Sequence, residues 1–188
     1  MRLIHKGERG FSLIELVIVI GLTGVVAAGI TGAILGVFNT DARTRNDMTA
    51  VYQVRQAGKL VSQDILQSQI VDTEDDLGTP EFELLTLKWE EGGTGVQHIV
   101  IYTLKDVPSS ELKILWREHK IDSATYSNTK IAEHINAYPD TKCEPNVDDD
   151  AYTFTVTATV GGRYVDGQIV GGQSETRTYQ VKPRPVQQ

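Results

Sequence analysis

The chain falls into three stretches that differ in the spacing of their apolar residues. From Phe11 to Phe38 almost every position is apolar or small, and Glu15 is the one charge among those 28 residues. At about 1.5 Å per residue, a helix of that length exceeds the roughly 30 Å hydrocarbon core of a bilayer. Beyond Phe38 the apolar residues thin to a stripe. Val51, Val54, Gly58, Val61 and Ile65 recur at spacings of three and four, while Arg43, Arg45, Arg55, Lys59 and Gln67 supply polar faces. This predicts an amphipathic continuation of the same helix over 39–71, ending before the acidic run "DTEDDLGTP" at 72–80.

After Pro80 the period becomes two. "EFELLTLKW", "VQHIVIYTL", "ELKILWREHKI", "AYTFTVTATV" and "ETRTYQVKP" each predict a strand, with "EEGGTG" and "KDVPSS" as turns and "GGRYVDGQIVGG" as a loop. Residues 122–150 are less regular, with a short strand around "TKIAEHINAY". In 151–160, Tyr152, Phe154, Val156, Ala158 and Val160 face one way and the threonines the other. Such alternation fits antiparallel strands with one buried face, and the helix stripe would supply the opposing layer. The expected fold class is α+β: a long N-terminal helix, membrane-spanning in its first half, packed on an antiparallel β-sheet. The β-rich globular domain would occupy 72–188.

Charge adds orientation. The first ten residues carry Arg2, Lys6 and Arg9 against Glu8, so the net charge of −7 becomes −9 over residues 11–188. Basic residues before the apolar run place the N-terminus in the cytoplasm and the rest of the chain outside it. A chain this acidic is a poor partner for phosphate backbones, and nucleic-acid binding is not expected. Cys143 is the only cysteine, which excludes an internal disulfide.

A secretory signal places its apolar region before the cleavage site. Here a polar, basic leader precedes the apolar run, and composition leaves open whether the chain is cut or stays as an uncut anchor. The residues "KGERGFSLIEL" resemble the signal of type IV prepilins and type II secretion pseudopilins. That resemblance implies removal of the leader 1–10 by a membrane aspartyl prepilin peptidase, which cuts between Gly10 and Phe11 and methylates the new amino terminus of Phe11. It also implies an assembly role for Glu15. The implied partners are other pilins or pseudopilins, the peptidase, the filament assembly platform and the membrane. More diffusely, residues 50–185 resemble J-type minor pseudopilins and W-type minor pilins. The two-cysteine C-terminal loop of many major pilins is absent.

Glu15 poses a physical problem, because an isolated carboxylate in hydrocarbon is costly. The next basic residue along the chain is Arg43. Two solutions stand on the sequence: the side chain snorkels to the headgroup layer, or it pairs with a cation from another chain. Cleavage would create such a cation, the α-amino group of Phe11 on a neighbouring subunit. Gly21, Gly24, Gly29, Gly32 and Gly36 are read as helix-packing positions, since small residues let membrane helices approach closely.

No catalytic constellation emerges. His98, His119 and His134 are scattered along the sequence, without an HExxH pattern, and read as surface or strand histidines. Gly92, Gly93 and Gly95 read as a turn between strands. Asp148, Asp149 and Asp150 are candidate calcium ligands, but neither acidic run has the ordered spacing of a calcium loop, and no cofactor is expected. The expected function is a non-enzymatic minor pilin or pseudopilin that helps initiate, cap or regulate a filament. It would reside in the inner membrane and then in a periplasmic or cell-surface filament. The alternative is a permanently anchored extracytoplasmic binding domain.

Overall fold

The computed structural model describes residues 12–73, 81–108, 110–146, 150–165 and 168–185, with only the backbone described at 163–165 and 168–170. One helix, α1 (Leu13–Gln67), is followed by ten strands: β1 (Ile70–Asp72), β2 (Phe82–Glu90), β3 (Gln97–Val107), β4 (Ser110–Ile121), β5 (Ala124–Ile135), β6 (Lys142–Asn146), β7 (Ala151–Val160), β8 (Arg163–Val165), β9 (Gln168–Val170) and β10 (Gln173–Val181). Eight strands form one antiparallel sheet in the order β1-β2-β3-β4-β5-β7-β10, with β6 also paired to β7. The fold is thus α+β, a long N-terminal helix packed on an antiparallel sheet. The chain divides into two compact units, Met1–Ala42 and Arg43–Gln188. In the second, residues 43–67 of α1 form one layer and the sheet the other.

The predicted strands at 81–89, 96–104, 111–121, 151–160 and 175–183 match β2, β3, β4, β7 and β10 to within a few residues. Local chemistry sets the turns. Gly92, Gly93 and Gly95 all have positive φ between β2 and β3, as the turn reading requires. Asp122 and Ser123 both have positive φ and close β4 onto β5 as a two-residue hairpin loop.

Four expectations are corrected. The helix stops at Gln67, four residues short of the predicted 71. Ser68 donates to the Asp64 and Ile65 carbonyls and closes the last turn. Ile70–Asp72 then pair with Thr86–Lys88, because the edge of β2 offers the backbone partners that a further helical turn would have supplied. The irregular segment 122–150 holds β5, twelve residues long, and β6. The loop at 161–172 contains the β8–β9 hairpin. Finally, the threonine face of β7 is not wholly open. Thr157 and Thr159 are buried beneath the segment 136–141, where Thr157 donates to the Asp140 carbonyl at 3.1 Å and Thr159 to Asn136 Oδ1 at 2.9 Å.

The predicted helix stripe is buried at Val54, Gly58, Val61 and Ile65, joined by Ala50 and Ala57, while Val51 is only half-buried. Opposite lie Leu85, Leu87, Val100, Tyr102, Leu115, Phe154 and Val156, all fully buried. Gly58 is required by close approach: a Cβ there would stand 2.0 Å from the Tyr179 ring. The Tyr179 hydroxyl in turn donates to the Val54 carbonyl at 3.4 Å.

One charge of the helix enters this core. Asp64 accepts from Arg117 Nε at 2.6 Å and Arg117 Nη2 at 3.2 Å, and from the Tyr102 hydroxyl at 2.6 Å. This two-pronged contact joins α1 to β3 and β4. Burial works against the Arg117 charge, yet the Asp64 carboxylate outweighs it and holds the guanidinium above its usual pKa. Burial first, then Asp64, raises the Tyr102 hydroxyl well above its ordinary value.

Removing one member strands the others. Asp64→Ala is expected to destabilise the fold by about 3 kcal/mol, since a buried guanidinium loses its counter-charge. The double variant Asp64→Leu/Arg117→Met should regain most of that loss in a urea titration. A single variant within about 0.5 kcal/mol of the parent would show that the pair does not hold the helix.

Candidate functional site

The candidate site is the first unit, where α1 begins. The Ser12 carbonyl accepts from the Glu15 and Leu16 amides and opens the helix, placing Glu15 in its first turn. Helix starts favour carboxylates, because the unsatisfied amides and the macrodipole present positive potential there. Ser12 and Glu15 also have the spacing of a capping pair. The sequence reading considered a partner on another chain and snorkelling, and missed this local stabilisation. The S-x-x-E signal was present in the residues.

The apolar residues on either side of Glu15 are bare. Leu13, Val25 and Phe38 are 81%, 73% and 66% exposed, and the most apolar window of the helix has no buried residue. Its length and composition suffice to cross a membrane. Three of its threonine hydroxyls are satisfied internally: those of Thr23, Thr31 and Thr40 donate to the Val19, Ala27 and Gly36 carbonyls at 2.7, 2.9 and 3.0 Å. Such back-bonding suits an apolar solvent, where an unpaired hydroxyl is costly. At Gly21, Gly24, Gly29, Gly32 and Gly36 a Cβ would meet nothing within 4 Å. Among the described residues no contact accounts for these glycines.

The remaining candidates scatter. Gly10, Phe11, Asp148 and Asp149 lie outside the described residues. Asp150 is exposed and stands 4.0 Å from the Lys182 ammonium. Among the described residues there is no group of three or more His, Cys, Asp and Glu side chains that could hold a metal ion. The histidines need a correction: His98 and His119 are not scattered but adjacent, with His98 Nδ1 3.0 Å from His119 Nε2 across β3 and β4. They lie 21 positions apart, so only the strand register reveals the pair.

Cys143 is free and buried. Burial, then the neighbouring Glu144, pushes its thiol up to about 12.

Comparison with known proteins adds one match. Residues 5–31 match the family described as the prokaryotic N-terminal methylation motif, a span that contains Gly10, Phe11, Glu15 and the first turns of the apolar helix. No curated protein and no solved structure matches the chain.

Two outcomes follow from this geometry. Only the thiolate reacts with alkylating agents, so at pH 8 Cys143 is expected to react with iodoacetamide at least about 100-fold more slowly in the folded chain than in denaturant. Equal rates would contradict its burial. The pair Gly29→Leu/Gly32→Leu should leave the thermal midpoint of the second unit unchanged while weakening self-association of the apolar segment in a membrane two-hybrid assay. Undiminished association would remove a packing role for both glycines.

Proposed function

We infer that this chain, a type IV pilin-like or pseudopilin subunit anchored by a single membrane pass, works as a minor component of a type IV pilus or type II secretion pseudopilus. The observation that carries the reading is the methylation motif at 5–31 running directly into a helix whose most apolar window has no buried residue among the described ones. The chain would be made as a prepilin, cut after Gly10, methylated at Phe11 and held in the inner membrane with its β-rich domain outside the cytoplasm. Assembly would then replace lipid around 13–38 with neighbouring helices, and the five glycines would let those helices approach. The role is mechanical and organisational, to prime, cap or regulate a filament, with no chemistry of its own.

Glu15 would have two functions in this scheme. In the membrane-held subunit it sits at the positive end of its own helix. In the filament it would meet the α-amino group of Phe11 from the next subunit, and that contact would fix the axial register. A low-dielectric surrounding strengthens the attraction between a carboxylate and an ammonium group. The absence of a second cysteine agrees with a minor subunit rather than a major adhesive one.

Processing and assembly separate in two variants. Gly10→Ala should retain the Met1 terminus by mass spectrometry and stay out of sheared filaments. Glu15→Ala should be cut and methylated normally, yet its filament incorporation should fall at least about tenfold. If the parent chain itself keeps its Met1 terminus, the chain is an unprocessed anchored domain. If Glu15→Ala incorporates fully, the register contact lies elsewhere.

A further inference from the structure

The helix-facing side of the sheet continues past the end of α1 into a cluster of rings. Trp89 on β2 stacks on His98 of β3 at 5.1 Å, with only 4° between the planes. His98 and His119 of β4 lie 5.3 Å apart by their centroids, and Tyr126 meets the His119 ring edge-on at 5.6 Å. The His98 side chain is 14% exposed. Its Nε2 is buried without a hydrogen-bond partner, and the Glu91 carboxylate stands 3.5 Å away. A cleft of about 270 Å³, lined by Gln69, Trp89, Gln97 and His98 among others, opens beside the pair.

We propose that His98 Nδ1 and His119 Nε2 form a two-imidazole site for a tetragonal divalent transition-metal ion of the Cu²⁺ or Ni²⁺ type, its other positions filled by water. Two observations support this. The first is spacing. With metal–nitrogen bonds of about 2.05 Å, nitrogens 3.0 Å apart subtend about 94° at the ion. That is the cis angle of square or octahedral coordination, whereas a tetrahedral ion would need about 3.3 Å between them. The second is the outer contact. A ligating histidine commonly offers its other N–H to a carboxylate, and His98 Nε2 has the Glu91 carboxylate on that side.

Without metal, one ring donates its N–H to the other across the 3.0 Å gap. Binding requires that proton to move to the other nitrogen of its own ring, so both facing nitrogens present lone pairs and no net proton is released. With His98 ligated through Nδ1, its proton sits on Nε2, toward Glu91. The site uses none of the residues assigned to assembly, and Trp89 is a built-in reporter.

The test uses the full chain in detergent with Trp116→Phe, which leaves Trp89 as the only tryptophan. Trp116 is partnered by Lys105, which sits 5.6 Å over its ring. Titrated Cu²⁺ should quench Trp89 fluorescence and saturate at one equivalent. His119→Gln or His98→Gln should weaken that titration at least tenfold, and His134→Gln should leave it unchanged. Electron paramagnetic resonance of the Cu²⁺-loaded parent chain, which needs no variant to fold, should show coupling to two imidazole nitrogens. Quenching that never saturates, an unchanged titration in His119→Gln, or a spectrum without two-nitrogen coupling would each overturn the proposal.

Discussion

The domain depends on an ion pair that its helix could have avoided. Asp64 sits one position before Ile65, on the face turned to the sheet, where an aliphatic residue would have packed without desolvating a charge. In its place a carboxylate takes three hydrogen bonds from two strands. Paired charges in a core contribute less to stability than their Coulomb attraction suggests, because both have left water. Their gain here is in position. Apolar side chains tolerate a helix sliding along a sheet, whereas a bidentate guanidinium contact has one geometry. The contact therefore fixes where α1 lies against β3 and β4, and the complementary fits of Gly58 with Tyr179 and of Gly161 with Asn46 rely on that placement.

The same helix meets two surroundings, and its residues change accordingly. Between 13 and 38 it is apolar, with its glycines meeting nothing among the described residues and its threonine hydroxyls folded back onto its own carbonyls. Between 50 and 65 the apolar residues narrow to one face and alanines join them, so that the helix lies close to the strands. Glu15 belongs to the first environment and Asp64 to the second. Each carboxylate sits where a local feature favours it, the start of a helix for Glu15 and an arginine fork for Asp64.

Much of this was legible from spacing alone. Strands rich in β-branched and aromatic residues, such as 82–90 and 151–160, announce themselves by composition and period, although both faces of each are covered over part of their length. The strand β5 was less legible because its first seven residues, "ATYSNTK", are mostly exposed, so no alternation is imposed on them. Pro145 masks β6, which tolerates it because β6 pairs with one neighbour only. Asp64 was hidden by the apolar stripe beside it, and Ile70–Val71 prolonged that stripe into residues that β2 draws into strand. The imidazole pair had no local signal at all. It arises from register, with His119 opposite Val100 and His98 opposite Ile121, so that both rings fall on one face. The motif at the N-terminus was readable for a different reason: it is a short linear signal and does not depend on packing.

The sheet has a seam. Between β5 and β7 only Ile135 and Ala158 are paired, and residues 151–155 on that edge of β7 are taken by β6. What spans the seam is the helix, which holds β3 and β4 through Asp64, β5 through the Gln53 side chain at the Glu133 amide, and β10 through Gly58 and Tyr179. The second half of α1 is therefore a bolt as well as a stalk. A soluble fragment that begins after Gln67 would consist of two ribbons joined at one rung, each with an uncovered greasy face, and would precipitate. Any truncation meant to free this domain from its anchor has to begin at or before Arg43.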